Sequence, residues 1–119
     1  MSCILLVDDD ASVRHFTARA LTIDGHEVAT ADDGAEALEL LLARDGAVDL
    51  VLSDIRMPEM DGVELAEAAG GRFPGLPVLL MTGYAEQRER GERLANVVEV
   101  VAKPFTLSDI RTAVSRALA

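Results

Sequence analysis

The sequence predicts an α/β fold, a doubly wound five-stranded parallel sheet with helices on both faces. Three observations lead there. Five short apolar runs alternate with five segments of helical periodicity, the pattern of repeated strand–helix units. Three of those runs are almost wholly apolar, as strands covered on both faces must be. The chain has 119 residues, enough for one hydrophobic core and too few for two.

The elements follow in order. "CILLV" is the first strand, followed by a helical pattern from Ala11 to about Asp24, for which Asp10 is the expected N-cap. If Val13, Phe16 and Ala20 face the core, that helix exposes Arg14, His15, Ala18 and Arg19. "HEVATA" precedes "DGAEALELLLAR", where Ala35, Leu38, Leu41 and Leu42 share one predicted face. "VDLVLS" leads through a proline-containing loop to "GVELAEAA", with Asp61 and Gly62 at the helix start. "PVLLMT" leads to a weaker helix from Ala85 to Leu94, which Gly91 is expected to interrupt. "VVEVV" then leads to "TLSDIRTAVSRAL", with Leu107, Ile110, Val114 and Ala117 in register and a Thr106–Asp109 capping pair. The second run carries Glu27 and Thr30, and the fifth carries Glu99, so these two fit sheet edges. That agrees with the strand order 2-1-3-4-5, the flavodoxin-like arrangement, in which ligands bind beyond the carboxyl ends of the strands.

Composition excludes several classes of function. The formal charge is −10, whereas nucleic-acid phosphates and anionic membranes require a basic surface. Only 3% of residues are aromatic, which leaves no stacking platform for bases. No nucleic-acid or membrane partner is expected. Cys3, the single cysteine, excludes an intramolecular disulfide and is expected to be buried as a small hydrophobe. No apolar stretch approaches a membrane span and no signal peptide opens the chain, so a cytoplasmic location is expected. His15 and His26 are too isolated to suggest a metal site.

The chemistry gathers where the strands end. Asp8 and Asp9 follow the first run, Asp54 ends the third, Thr82 the fourth, and Lys103 follows the fifth. Like charges about 4 Å apart repel by roughly 4 kcal/mol at an effective dielectric of about 20. A capping role explains one aspartate after the first strand but gives no use for Asp54 or Lys103. A divalent cation would relieve the repulsion, and an oxygen-rich carboxylate site suits Mg²⁺. Asp54 is then a candidate nucleophile toward phosphorus, with Lys103 and the Thr82 hydroxyl as partners for phosphoryl oxygens.

Four motifs, in this order and at these spacings, resemble the receiver domain of two-component response regulators. They are "VDDD" at Val7–Asp10, "LSDIRMPEMDG" at Leu52–Gly62, "LLMTGYA" at Leu79–Ala85 and "VAKPF" at Val101–Phe105. The resemblance implies a flavodoxin-like (βα)5 receiver fold over residues 1–119, with Asp54 as phosphoacceptor. It also implies Mg²⁺ held by Asp9, Asp54 and the main-chain carbonyl of Arg56, with Asp8 acting through water, and a cis Lys103–Pro104 bond. The implied phosphodonor is a histidine kinase or histidine phosphotransferase docking on the first helix. Receivers commonly carry an aromatic residue three positions before the lysine; here Val100 stands there, which puts the usual threonine–aromatic coupling in question. The resemblance also implies that Arg56 and Tyr84 flank the route of attacking water, and both being bulky they are expected to slow autodephosphorylation.

A narrower resemblance, through "MTGYAEQRERGERL" and "VVAKPFTLSDIRTAVSRALA", is to the CpdR group of alphaproteobacterial single-domain receivers. It implies a stand-alone cell-cycle adaptor for the ClpXP protease, with ClpX as output partner, active when unphosphorylated and switched off by a phosphorelay. Chemotaxis-type receivers, phosphorelay intermediates and receivers excised from hybrid histidine kinases are the alternatives. A haloacid-dehalogenase-like phosphatase is more distant, because Arg56 occupies the place of its second aspartate. The expectation is therefore a switch, not an enzyme acting on other substrates. FMN binding fails because "DDDAS" would repel the phosphate.

Overall fold

In the computed structural model, residues 2–119 are described; Met1, the first residue of the expected 1–119 domain, lies outside them. Five strands and five helices alternate: β1 (Cys3–Val7), α1 (Ala11–Ile23), β2 (Glu27–Ala31), α2 (Gly34–Ala43), β3 (Leu50–Asp54), α3 (Gly62–Arg72), β4 (Val78–Thr82), α4 (Ala85–Glu92), β5 (Val97–Ala102) and α5 (Leu107–Leu118). All pairings are parallel, in the order β2-β1-β3-β4-β5. The apolar runs β3 and β4 are buried at every residue, whereas β2 and β5 are partly exposed, as edge strands are.

Alternating residues of the strands divide the core in two. Leu5, Val7, Val51, Leu80 and Val100 pack beneath α2 and α3, against Ala37, Leu41, Leu65 and Ala69. Ile4, Leu6, Leu52, Leu79 and Met81 face the other way, onto Leu21 of α1 and Ile110, Ala113 and Val114 of α5. Helix starts follow local chemistry. Asp10 accepts from the Ser12 and Val13 amides, and Asp61–Glu64 and Thr106–Asp109 form reciprocal capping boxes. The β4–β5 register slips between Val78 and Leu79, whose partners are Val97 and Glu99; Val98 is the extra residue.

Several expectations need correction. The buried residues of α1 are Thr17, Ala20 and Leu21, while Phe16 is 61% exposed. Arg14, expected in solvent, is folded inward with its side chain only 12% exposed. It donates to the Asp8 carbonyl at 2.7 Å and pairs with Asp32 at 3.2 Å, and these acceptors compensate its burial. In α2 the buried face is Gly34, Ala37 and Leu41, and Leu42 is 42% exposed. Gly91 does not interrupt α4: it lies inside the helix and is its buried residue. Cys3 is half-buried, with Arg44 Nη1 at 3.8 Å from Sγ.

Candidate functional site

Parallel strands place their last residues side by side, and the site is made from those residues. Asp8 follows β1, is 1% exposed, and accepts the Asp10 amide at 2.9 Å. Asp9 beside it is exposed. Asp54, the last residue of β3, is 8% exposed. Its Oδ1 accepts from Lys103 Nζ and from the Ile55 amide, each at 3.1 Å. Oxygens of Asp8, Asp9 and Asp54 lie within 4.8 Å of one another.

The remaining predicted residues come to the same place. Asp9, Asp54, Arg56, Thr82, Gly83, Tyr84 and Lys103 line one cavity of about 580 Å³. Thr82, the last residue of β4, is buried, and its Oγ1 accepts the Tyr84 amide at 3.1 Å, leaving the hydroxyl proton free to donate. Lys103 is brought in by backbone pairing, its amide donating to the Thr82 carbonyl at 2.8 Å, and by a cis bond to Pro104. Arg56 lies near the start of the β3–α3 loop, and its guanidinium is 4.6 Å from the centre of the Tyr84 ring. Glu59 turns that loop with a φ of 67°, a region seldom used outside glycine.

Electrostatics match the crowding. Burial pushes the Asp54 carboxyl above its ordinary value, opposed chiefly by the Lys103 ammonium beside it. Burial also raises Asp8, opposed by the Asp10 amide and reinforced by the charge on Asp54. Two carboxylates that resist ionisation alone, next to a third, favour a site for a hard cation with oxygen ligands. The donor set therefore fits Mg²⁺.

Sequence reasoning missed two contacts at the margin. Arg14 braces the Asp8 main chain through partners distant from it, and no local pattern announces this. Arg90 of α4 pairs with Asp61, the N-cap of α3, at 3.1 Å; only its place in a charged helix hinted at a role. The expected docking helix presents Phe16, His15 and Arg19 outward, and Phe16 borders an apolar groove of about 470 Å³ with Pro104, Phe105 and Leu107.

The comparisons agree with this geometry. The family model of the response regulator receiver domain matches residues 4–115. The chain belongs to that family. The regulatory protein AtoC of Escherichia coli is 40% identical over 116 residues, covering 97% of this chain but only 25% of AtoC. The chain thus spans about a quarter of that relative's length. The response regulator receiver protein CpdR of Brucella abortus is 38% identical over 119 residues, covering 99% of this chain and 98% of CpdR. A crystal structure of a response regulator receiver domain protein from Clostridium thermocellum superposes with a TM-score of 0.91 at 26% identity, covering 99% of this chain and 94% of the other. No helix among the described residues is long and apolar enough to cross a membrane.

Proposed function

We propose that this receiver domain is a phosphorylation switch in which Asp54 accepts a phosphoryl group from a histidine kinase or histidine phosphotransferase. The observation that carries the reading is the Asp54 carboxylate, held 3.1 Å from Lys103 Nζ inside a cluster of three carboxylates. Asp8, Asp9, Asp54 and the Arg56 main-chain carbonyl would hold Mg²⁺, which when bound offsets negative charge on the transferring group. The Asp54 oxygen attacks phosphorus as the bond to the donor nitrogen breaks, giving an acyl phosphate. Lys103 then pairs with a phosphoryl oxygen, and the Thr82 hydroxyl donates to another. The exposed Phe16, His15 and Arg19 of α1 offer the donor protein an apolar anchor beside the Arg19 guanidinium.

The domain does no chemistry beyond its own phosphorylation and hydrolysis, and its output is binding of a partner protein. Similarity to CpdR along nearly the whole of both chains favours a single-domain, cytoplasmic cell-cycle adaptor that engages ClpX when unphosphorylated. Acetyl phosphate with Mg²⁺ is expected to label wild type and leave Asp54→Ala unlabelled; equal labelling would refute the assignment. Pull-down with wild type, Asp54→Ala and beryllofluoride-treated protein tests the output. Recovery of ClpX with the first two only is expected, and recovery from all three would count against the adaptor reading.

A further inference from the structure

Helix α4 is weakly anchored. Of Ala85–Glu92 only Gly91 is buried, and the N-cap residue Tyr84 makes no side-chain capping bond. At Gly91 the helix lies against the sheet so closely that a Cβ would stand 3.0 Å from Leu80 Cδ1 and from Val100 Cγ2. Polar tethers also hold the helix. Arg90 Nη1 bonds Asp61 Oδ2 at 3.1 Å and also donates to Gln87 Oε1. The second Asp61 oxygen accepts the Glu64 amide at 2.8 Å, so one carboxylate joins the start of α3 to α4. The Tyr84 amide donates to Thr82 Oγ1, and the Tyr84 ring lies under the Arg56 guanidinium.

The tethers end on the Asp54 cavity or in the hollow beside it that shares Asp9 and Arg56. Arg56 and Asp61 belong to the segment joining β3 to α3, and Thr82 closes β4. Asp9, Arg56, Asp61 and Gln87 line a further hollow of about 430 Å³. Val100, buried in the core, has a stiff aliphatic side chain with no polar atom, so that position offers no ring to swing. The polar contacts join the site to α4 beside the apolar contact at Gly91.

We propose that the Arg90–Asp61 ion pair is a latch that holds α4 in the unphosphorylated protein and through which this helix senses Asp54. The inference rests on Asp54 being the phosphoacceptor. A phosphoryl group adds a charge of about −1.5 to −2. It draws the Arg56 guanidinium off the Tyr84 ring and, by taking the Thr82 hydroxyl proton, turns the oxygen that holds the Tyr84 amide, loosening Tyr84 and shifting the loop that carries Asp61. With one buried residue, α4 has little packing to resist, and its population shifts toward the released form. Arg90 is a positioning residue in this scheme and touches no reacting atom.

Amide hydrogen exchange across α4 tests it, in the 119-residue chain with Mg²⁺, with and without beryllofluoride. Wild-type α4 is expected to exchange faster when beryllofluoride is bound. Arg90→Gln, and Asp61→Asn, which retains the cap, should exchange about two- to fivefold faster already in the free protein and respond little further. Arg88→Gln removes only the Arg88–Glu92 pair within the helix and serves as control. Equal acceleration in Arg88→Gln, or free Arg90→Gln exchanging like wild type, would overturn the latch. Bound beryllofluoride, seen by fluorine resonance, with an unresponsive wild-type α4 would also overturn it. No fluorine signal from bound beryllofluoride would instead refute the phosphoacceptor reading and the relay built on it.

Discussion

Asp8 and Asp54 each sit where their environment resists their charge, and the consequences are measurable. Burial raises both carboxyl pKa values in the folded protein, so the folded state binds protons before the unfolded chain does. Without Mg²⁺, stability should therefore rise as pH falls from those raised values toward the ordinary aspartate value of about 4. Mg²⁺ requires the ionised forms, so the increase in Tm it confers should be largest near neutrality and fade on acidification. A Mg²⁺ effect that grew in acid would contradict the site. Asp8→Asn keeps an acceptor for the Asp10 amide while removing a charge. It should stabilise the metal-free protein by about 1 kcal/mol in urea unfolding and weaken Mg²⁺ binding. Truncating the stacked pair, as Arg56→Ala with Tyr84→Ala, should shorten the phosphoryl half-life about two- to fivefold; an unchanged half-life would show that neither side chain restrains water. Asp8, Asp9, Asp54, Thr82 and Lys103 were legible in the sequence because topology alone gathers strand ends. Arg14 was not, because its burial depends on Asp32 and the Asp8 carbonyl, which only the folded chain brings to it.

Elements are held to the site at specific atoms. Gly62 begins α3 against the Asp54 carbonyl oxygen, and a Cβ there would collide with that oxygen and stand 3.0 Å from Ile55 Cα. Gly62→Ala should cost about 2–4 kcal/mol in urea unfolding and impair labelling by acetyl phosphate, because Asp54 must shift. Thr106→Ala removes one half of the α5 capping box and should cost about 1 kcal/mol while leaving labelling intact. The caps at Asp10 and Thr106 were readable because they depend on residues two or three apart. The buried faces of α1 and α2 were less so. Helical periodicity leaves neighbouring candidates such as Phe16 and Thr17, or Leu41 and Leu42, about 100° apart, and contact with the sheet decides between them.

At the scale of the molecule, the edges of the sheet were legible because burial sorts the strands: the almost wholly apolar runs occupy the middle, and the runs carrying Glu27 and Glu99 the edges. The extra residue at Val98 was invisible, since register depends on the partner strand. The chain's charge of −10 implies that added salt should raise the Tm of the metal-free protein by screening. Mg²⁺ should raise it further at matched ionic strength. The arrangement of Arg56 over Tyr84 has another use. The chain contains one tyrosine and no tryptophan, so tyrosine-band emission comes from a single ring at the mouth of the cavity. Any occupant that displaces the guanidinium should alter the brightness of that ring, giving the unlabelled protein its own optical gauge.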